Sequence, residues 1–290
     1  ASMTPKIVGG VLAIAFLICI FGGGKQISKV TGVLVPVMGV FYIAVSLFIV
    51  ITHINLVPGM IADIVKGAFD FKAIFGGFAG SAIMQGIKRG LFSNEAGVGS
   101  APNAAASAGV SHPAKQGLVQ MLSVYIDTIV ICTATAFMLL CSGVEPSKEI
   151  AGMSYVQAAV ANSLGGFGTI FITVALCLFA FTTLIGNFYY AEMGLGYICN
   201  KTPGSTLIHA FRILAAVIVC FGATMEFSVA WDTADVLMGL MAIINLPVII
   251  LLAKPAILCM DDYIKQKKAG KNPVFKAADI NLEDDTDFWK

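Results

Sequence analysis

Three groups of residues place polar chemistry inside otherwise apolar surroundings. Thr182 and Thr183 are adjacent within Phe179-Ala-Phe-Thr-Thr183. Two hydroxyls, with the Phe179 carbonyl about one turn earlier, form part of an oxygen cage that suits a hard cation. Membrane Thr residues also bond their own helix backbone, so the pair alone leaves both readings open. Asp127, followed by Thr128, Thr133 and Thr135, lies well inside an apolar run. A carboxylate there is costly, and it either helps coordinate an ion or holds a neighbouring helix. The third group is a break. Seven glycines fall between Gly76 and Gly99, and a glycine inside a helix costs up to about 1 kcal/mol relative to Ala. Gly76, Gly77, Phe78, Ala79, Gly80 and Ser81 can open a helix at membrane depth. Such an opening offers free carbonyls to a cation and free N–H groups to a carboxylate, and Phe78 can close over an aliphatic side chain. Close helix packing by small residues is the competing reading.

Charged side chains flank these groups. Lys88 and Arg89 can snorkel to an interface, and Glu95 and Glu192 can pair with them as an inner gate or as an anchor. Asn187 lies four residues beyond Thr183, one helical turn along the same face.

The elements that must position these residues are membrane helices. Charged residues make up 12% of the chain, against about a quarter in soluble domains, and several apolar runs approach the roughly 20 residues that span a bilayer. Spans are expected at 7–21, 32–51, 116–141, 167–199, 207–224 and 229–253. The broken helix has halves at 71–78 and 84–97, with the opening at about 76–82. Residues 55–70 read as a short amphipathic helix at the interface. A weaker amphipathic helix runs to Ser163, and 167–199 is longer than a straight crossing needs. From Lys254 the chain turns charged and reads as a mobile tail.

Lys and Arg collect in alternate loops, at Lys25 and Lys29, at Lys88, Arg89 and Lys115, at Lys201, and from Lys254 to Lys271. By the positive-inside rule the first span starts outside and the C-terminus is cytoplasmic. The net charge of +1 gives no reason to expect nucleic acid. The seven cysteines lie in or beside apolar runs without ligand-like spacing, and read as small buried hydrophobes. His53, His112 and His209 sit near helix ends and read as interfacial. Neither His-Glu-x-x-His nor Gly-x-Ser-x-Gly occurs, which argues against a membrane hydrolase. The chain is expected not to be an enzyme.

One stretch carries a resemblance. Arg89-Gly-Leu-Phe-Ser-Asn-Glu-Ala-Gly-Val-Gly-Ser-Ala-Pro102, then His112-Pro113-x-x-Gln116-Gly117 and Ile126-Asp127-Thr128, is similar to the sodium:alanine symporter family, over about 7–260. The resemblance implies an all-α, polytopic fold of the leucine-transporter inverted-repeat type. It further implies symport of alanine or glycine with sodium across the cell membrane, by alternating access. Residues 1–54 would then hold the last two helices of a first repeat, 55–70 the interfacial segment, 71–260 a second five-helix repeat and 261–290 a cytoplasmic tail. In such folds the helix corresponding to 167–199 gives a hydroxyl pair to the principal sodium site. This assigns sodium to Thr182, Thr183 and the Phe179 carbonyl, and substrate to the 76–81 break and to Asn187. Many members carry Trp where this chain has Asn187, which bears on preference among small amino acids. The chain opens without Met and enters a span almost at once, so an N-terminal half is expected to be missing. Proton coupling, a cation channel and a non-transporting scaffold are the alternatives.

Overall fold

The computed structural model describes residues 4–69, 78–95, 97–145, 147, 152–199, 204–281 and 289. Regular structure among them is helical, as expected. The order is α1 (Thr4–Phe21), α2 (Gly23–Thr52), a 3-10 turn (Ile54–Leu56), α3 (Val57–Ala68), α4 (Phe78–Asn94), α5 (Ala101–Ala106), α6 (Pro113–Tyr125), a π-helical segment (Ile126–Cys132), α7 (Thr133–Leu140), α8 (Met153–Leu164), α9 (Gly166–Ile198), α10 (Ser205–Gly222), α11 (Phe227–Lys268) and a second 3-10 turn (Ala277–Ile280).

Among the described residues, four helical runs are long and apolar enough to cross a bilayer: Gln26–Thr52, Pro113–Leu140, Gly166–Ile198 and Phe227–Lys268. The helices α1 and α10 have 18 residues each, about 27 Å of rise, slightly less than a hydrocarbon core of about 30 Å. Aliphatic side chains such as Ile243, Ile250 and Leu251 stand largely exposed, as lipid-facing positions do. α3 takes the place of the expected amphipathic segment, with Pro58 in its first turn.

Residues 1–86 and 128–230 form one compact unit, and 87–127 with 231–290 a second. In the first unit α9 is the central element. One core cluster joins it to α2, α7 and α8 through Tyr42, Ile49, Met138, Val160, Phe171 and Ile172. Another joins it to α1, α2 and α10 through Phe16, Ile20, Ile27, Ile185, Phe188 and Ala216. α8 and α9 meet at Gly165, whose φ is +63°, a conformation that glycine adopts without Cβ strain.

Several expectations are corrected. Phe78 to Ala82, the second part of the predicted opening, belongs to the regular helix α4; Gly76 and Gly77 lie outside the described residues. The β-branched residues Ile126 and Thr128 to Ile131, poor helix formers in crowded turns, lie in a π-helical segment. Thr133 shows the wider register, its hydroxyl donating to the Thr128 carbonyl five residues back at 3.3 Å. The charged tail continues α11 to Lys268 and then reverses at Gly270 (φ +71°). Residues 272–281 pack back on the second unit through Ser111, Lys115 and Gln266. His112, read as interfacial, is fully buried. Cys132 and Cys177 are exposed on apolar helices, whereas Cys141 is buried.

Candidate functional site

In the second unit, charged side chains and a tight turn gather around the end of α4. That helix stops at Asn94, and three of the next residues carry positive φ: Glu95 at 48°, Gly97 at 89° and Gly99 at 98°. Left-handed backbone at a residue other than glycine needs surrounding contacts to hold it, and these are present. Val98 N–H donates to the Glu95 carbonyl at 3.3 Å, the buried Ser100 hydroxyl donates to the Glu95 carboxylate, and Asn245 Nδ2 on α11 donates to the Gly97 carbonyl at 3.0 Å. A Cβ on Gly99 would stand 2.9 Å from Asn245 Cγ, so this backbone approaches α11 more closely than any side chain permits.

The turn borders a cleft of about 450 Å³, with Asn94, Glu95, Gln120, Ser123 and Asn245 among its lining residues. The volume lies within the range of about 300–1,000 Å³ common for small-molecule sites. A carboxylate, amides, a hydroxyl and turn carbonyls on an otherwise apolar wall can hold a small zwitterion or its counter-ion.

Beside the cleft, Arg89 on α4 presents Nη2 to both carboxylate oxygens of Asp235 on α11, at 2.9 and 2.7 Å. Lys88 Nζ lies 4.0 Å from the same carboxylate. The guanidinium also lies over the Trp231 ring at 4.8 Å and the Phe92 ring at 5.6 Å. Asp127, at the start of the π-helix, accepts a 2.7 Å hydrogen bond from Ser93 on α4. The bond joins the π-helix to α4 and leaves both readings of Asp127, ion ligand or helix anchor, open.

In the first unit the Thr182 hydroxyl is buried and donates to the Leu178 and Phe179 carbonyls, each at 3.0 Å. Thr183 and Asn187 are exposed, one turn apart on the same helix face. Thr182 therefore makes the backbone bond that Thr adopts in helices. A hydroxyl that donates once keeps two acceptor lone pairs, so the bond is compatible with cation binding at that oxygen. Farther along α9, Glu192 pairs with Arg212 of α10 at 2.8 Å, both side chains largely buried, and the guanidinium also lies over Phe21 at 5.6 Å.

The inner gate foreseen in the sequence is thus corrected in its pairing. Arg89 meets Asp235, Glu192 meets Arg212, and Glu95 is held by Ser100. Asp235 and Asn245 were not singled out. A carboxylate and an amide inside the long apolar run of α11 are the signal that could have found them. Phe78, Ala79, Gly80 and Ser81 lie in the first turn of α4. Among the described residues no group of three or more His, Cys, Asp or Glu is placed to hold a metal ion.

Helices of membrane-crossing length, with a strained polar turn and a hydroxyl pair in an apolar helix, are those of a polytopic helical membrane protein. The description of the sodium:alanine symporter family matches residues 1–277, and the chain belongs to that family. It is 47% identical over 284 residues to the amino-acid carrier protein AlsT of Bacillus subtilis, covering 98% of this chain and 60% of that protein. It is 41% identical over 252 residues to the sodium/alanine symporter AgcS of Methanococcus maripaludis, covering 86% of this chain and 54% of that protein. The sodium/proton-dependent alanine carrier protein of Bacillus sp. strain PS3 is 40% identical over 301 residues, covering 99% and 67%. The chain spans about 60% of the length of the first of these relatives. The family consists of transporters, so the chain is a multi-pass membrane protein and not an enzyme.

Proposed function

We propose that the protein is a secondary active transporter that carries a small amino acid, alanine or glycine, together with sodium by alternating access. Membership of the sodium:alanine symporter family across residues 1–277 carries this reading. The two relatives named as alanine carriers or symporters support the substrate class. The fold proposed with it is of the leucine-transporter inverted-repeat type, in the cell membrane with the C-terminus cytoplasmic. In this reading Thr182, Thr183 and the Phe179 carbonyl contribute oxygens to sodium. The 76–81 stretch and Asn187 contribute to the amino acid site, and the polar cleft beside Glu95 and Asn245 belongs to the solute path. Asp127 and the Arg89–Asp235 and Glu192–Arg212 pairs hold the helices that move.

Proton coupling is the second reading, because two relatives are named as sodium/proton-dependent, one of them as putative. The test is uptake of radiolabelled alanine into vesicles carrying the protein, under an inward sodium gradient, with sodium replaced by choline, and with a proton ionophore. Sodium-dependent uptake that survives the ionophore is expected. Uptake abolished by the ionophore but indifferent to choline would favour the proton. Absence of any amino acid uptake would overturn the transport reading.

A further inference from the structure

We propose that the C-terminal segment 272–281 is a clasp that fixes the spacing of the two helices walling the polar cleft, with His112 as its positioning residue. The cleft is bounded on one side by α6, through Gln120 and Ser123, and on the other by α11, through Asn245 and Leu252. Among the described residues, only 6% of the most apolar stretch is buried in the α6–α7 run, and only 6% in α11. Hydrogen bonds that join the two helices lie at one end, at His112 and Asp262.

His112 is fully buried at the N-cap of α6. Its Nδ1 accepts the Ala114 N–H at 3.2 Å, so the ring proton sits on Nε2. Nε2 then donates to Asp262 Oδ2 on α11, 3.2 Å away. The Tyr263 and Phe275 rings stand edge-on to the imidazole, each 5.2 Å away. One side chain thereby caps α6 and ties it to α11.

The tail closes over this tie. The Gln266 side-chain amide donates to the Val274 carbonyl at 2.9 Å and accepts the Val274 N–H at 3.0 Å, as a neighbouring strand would. It also donates to Asp262 at 2.8 Å, holding the carboxylate toward the imidazole. On the α6 side, Phe275 N–H donates to the Ser111 carbonyl at 2.9 Å. Ser111 Oγ donates to the Pro273 carbonyl at 3.0 Å, and Lys115 Nζ to Asn272 Oδ1 at 2.7 Å. Phe275 and Ala277 are buried. Residues 272–277 therefore bond to both helices at once. From His112 to Gln120 is eight residues, about 12 Å along α6, and from Leu252 to Asp262 ten residues, about 15 Å along α11. The tie thus sits about two to three helical turns from the cleft, on the same two helices that line it.

The consequence for transport rests on the reading of the cleft as part of the solute path; the clasp itself does not. The test uses the protein in lipid nanodiscs and three variants: Phe275→Ala, Gln266→Ala and His112→Asn. Asn preserves an acceptor for the Ala114 N–H but is too short to reach Asp262, so it separates capping from tying. Amide exchange of residues 114–117 is expected to quicken by roughly tenfold or more in all three, while exchange in the Phe171–Ala175 core stays at the parent rate. Half-saturating alanine is expected to rise by about 3- to 10-fold, with the maximal rate changed less. Unchanged exchange at 114–117 in Phe275→Ala and Gln266→Ala would overturn the clasp. A His112→Asn protein that exchanges like the parent would reduce His112 to a helix cap and overturn its positioning role. Faster exchange with an unaltered alanine dependence would show that the clasp does not set the cleft. If the parent takes up no amino acid, the transport reading fails and the exchange data alone decide the clasp.

Discussion

Asp235→Asn tests the pairing that replaces the expected gate. In the parent, Arg89 Nη2 contacts both Asp235 oxygens at 2.9 and 2.7 Å. The Asp235 side chain is 19% exposed and that of Arg89 36%, so the pair lies between two regimes. Exposed ion pairs contribute about 0.2–1 kcal/mol, whereas breaking a buried one costs about 3–5 kcal/mol. Two features pull the value down from the buried figure. A single guanidinium nitrogen serves both oxygens, which is weaker than a two-nitrogen fork. The guanidinium also keeps its place over Trp231 and Phe92, an interaction of about 0.5–1 kcal/mol per ring when partly exposed. Asn retains one acceptor oxygen. The expected loss is therefore about 1–2 kcal/mol, close to one hydrogen bond to a charged group. At about 2–4 °C per kcal/mol for a chain of this size, the apparent melting midpoint should fall by about 2–8 °C. Membrane proteins unfold irreversibly, so parent and variants are compared in one detergent at one scan rate. Combining Asp235→Asn with Arg89→Gln should cost less than the sum of the singles. Midpoints within about 1 °C of the parent for both Asp235→Asn and Asp235→Ala, with strictly additive singles, would refute the assigned pair.

Glu192→Gln leaves the buried Arg212 without a carboxylate and should cost about 3–5 kcal/mol, whereas replacing both by Met should recover most of it; equal melting of the single and double variants would contradict this. Gly99→Ala places a Cβ at φ +98° and 2.9 Å from Asn245 Cγ, and should destabilise the second unit by about 1–3 kcal/mol; a denaturant midpoint equal to the parent's would exclude strain at this turn. Thr183→Val removes one oxygen at constant shape, and a loss of about 1–3 kcal/mol should raise half-saturating sodium by about 5- to 150-fold. A sodium titration of alanine uptake measures it, and unchanged dependence in both Thr182→Val and Thr183→Val would end the ion assignment.

Hydrophobic periodicity placed most of the long helices within a few residues of their bounds, because in an apolar chain each crossing must satisfy its own backbone; it missed the start of α2, which begins at Gly23, and the end of α11, which runs on through charged residues to Lys268. The span expected at 167–199 is the observed Gly166–Ile198, and the amphipathic 55–70 segment became Val57–Ala68. Pairings were less legible. Arg89 and Asp235 are separated by 146 residues, and charge counting in loops gives no information on which carboxylate a long side chain meets. Glycine clustering pointed to an opening at 76–82, yet Phe78 onward is helical; the left-handed backbone falls later, at Glu95, Gly97 and Gly99. Gly76 and Gly77, where that opening would begin, lie outside the described residues, so only its second part is set aside. His112 looked interfacial because it precedes a proline at a helix start. Its burial comes from Tyr263 and Phe275, contacts that local sequence does not reveal.

The central claim is coupled movement of amino acid and sodium. It is tested most directly by measuring entry of radiolabelled sodium and of alanine into the same vesicles, with alanine supplied outside and the membrane potential clamped. Alanine-dependent sodium entry in fixed proportion to alanine entry, abolished when alanine is left out, is the predicted result. Alanine uptake that brings in no sodium would contradict the account.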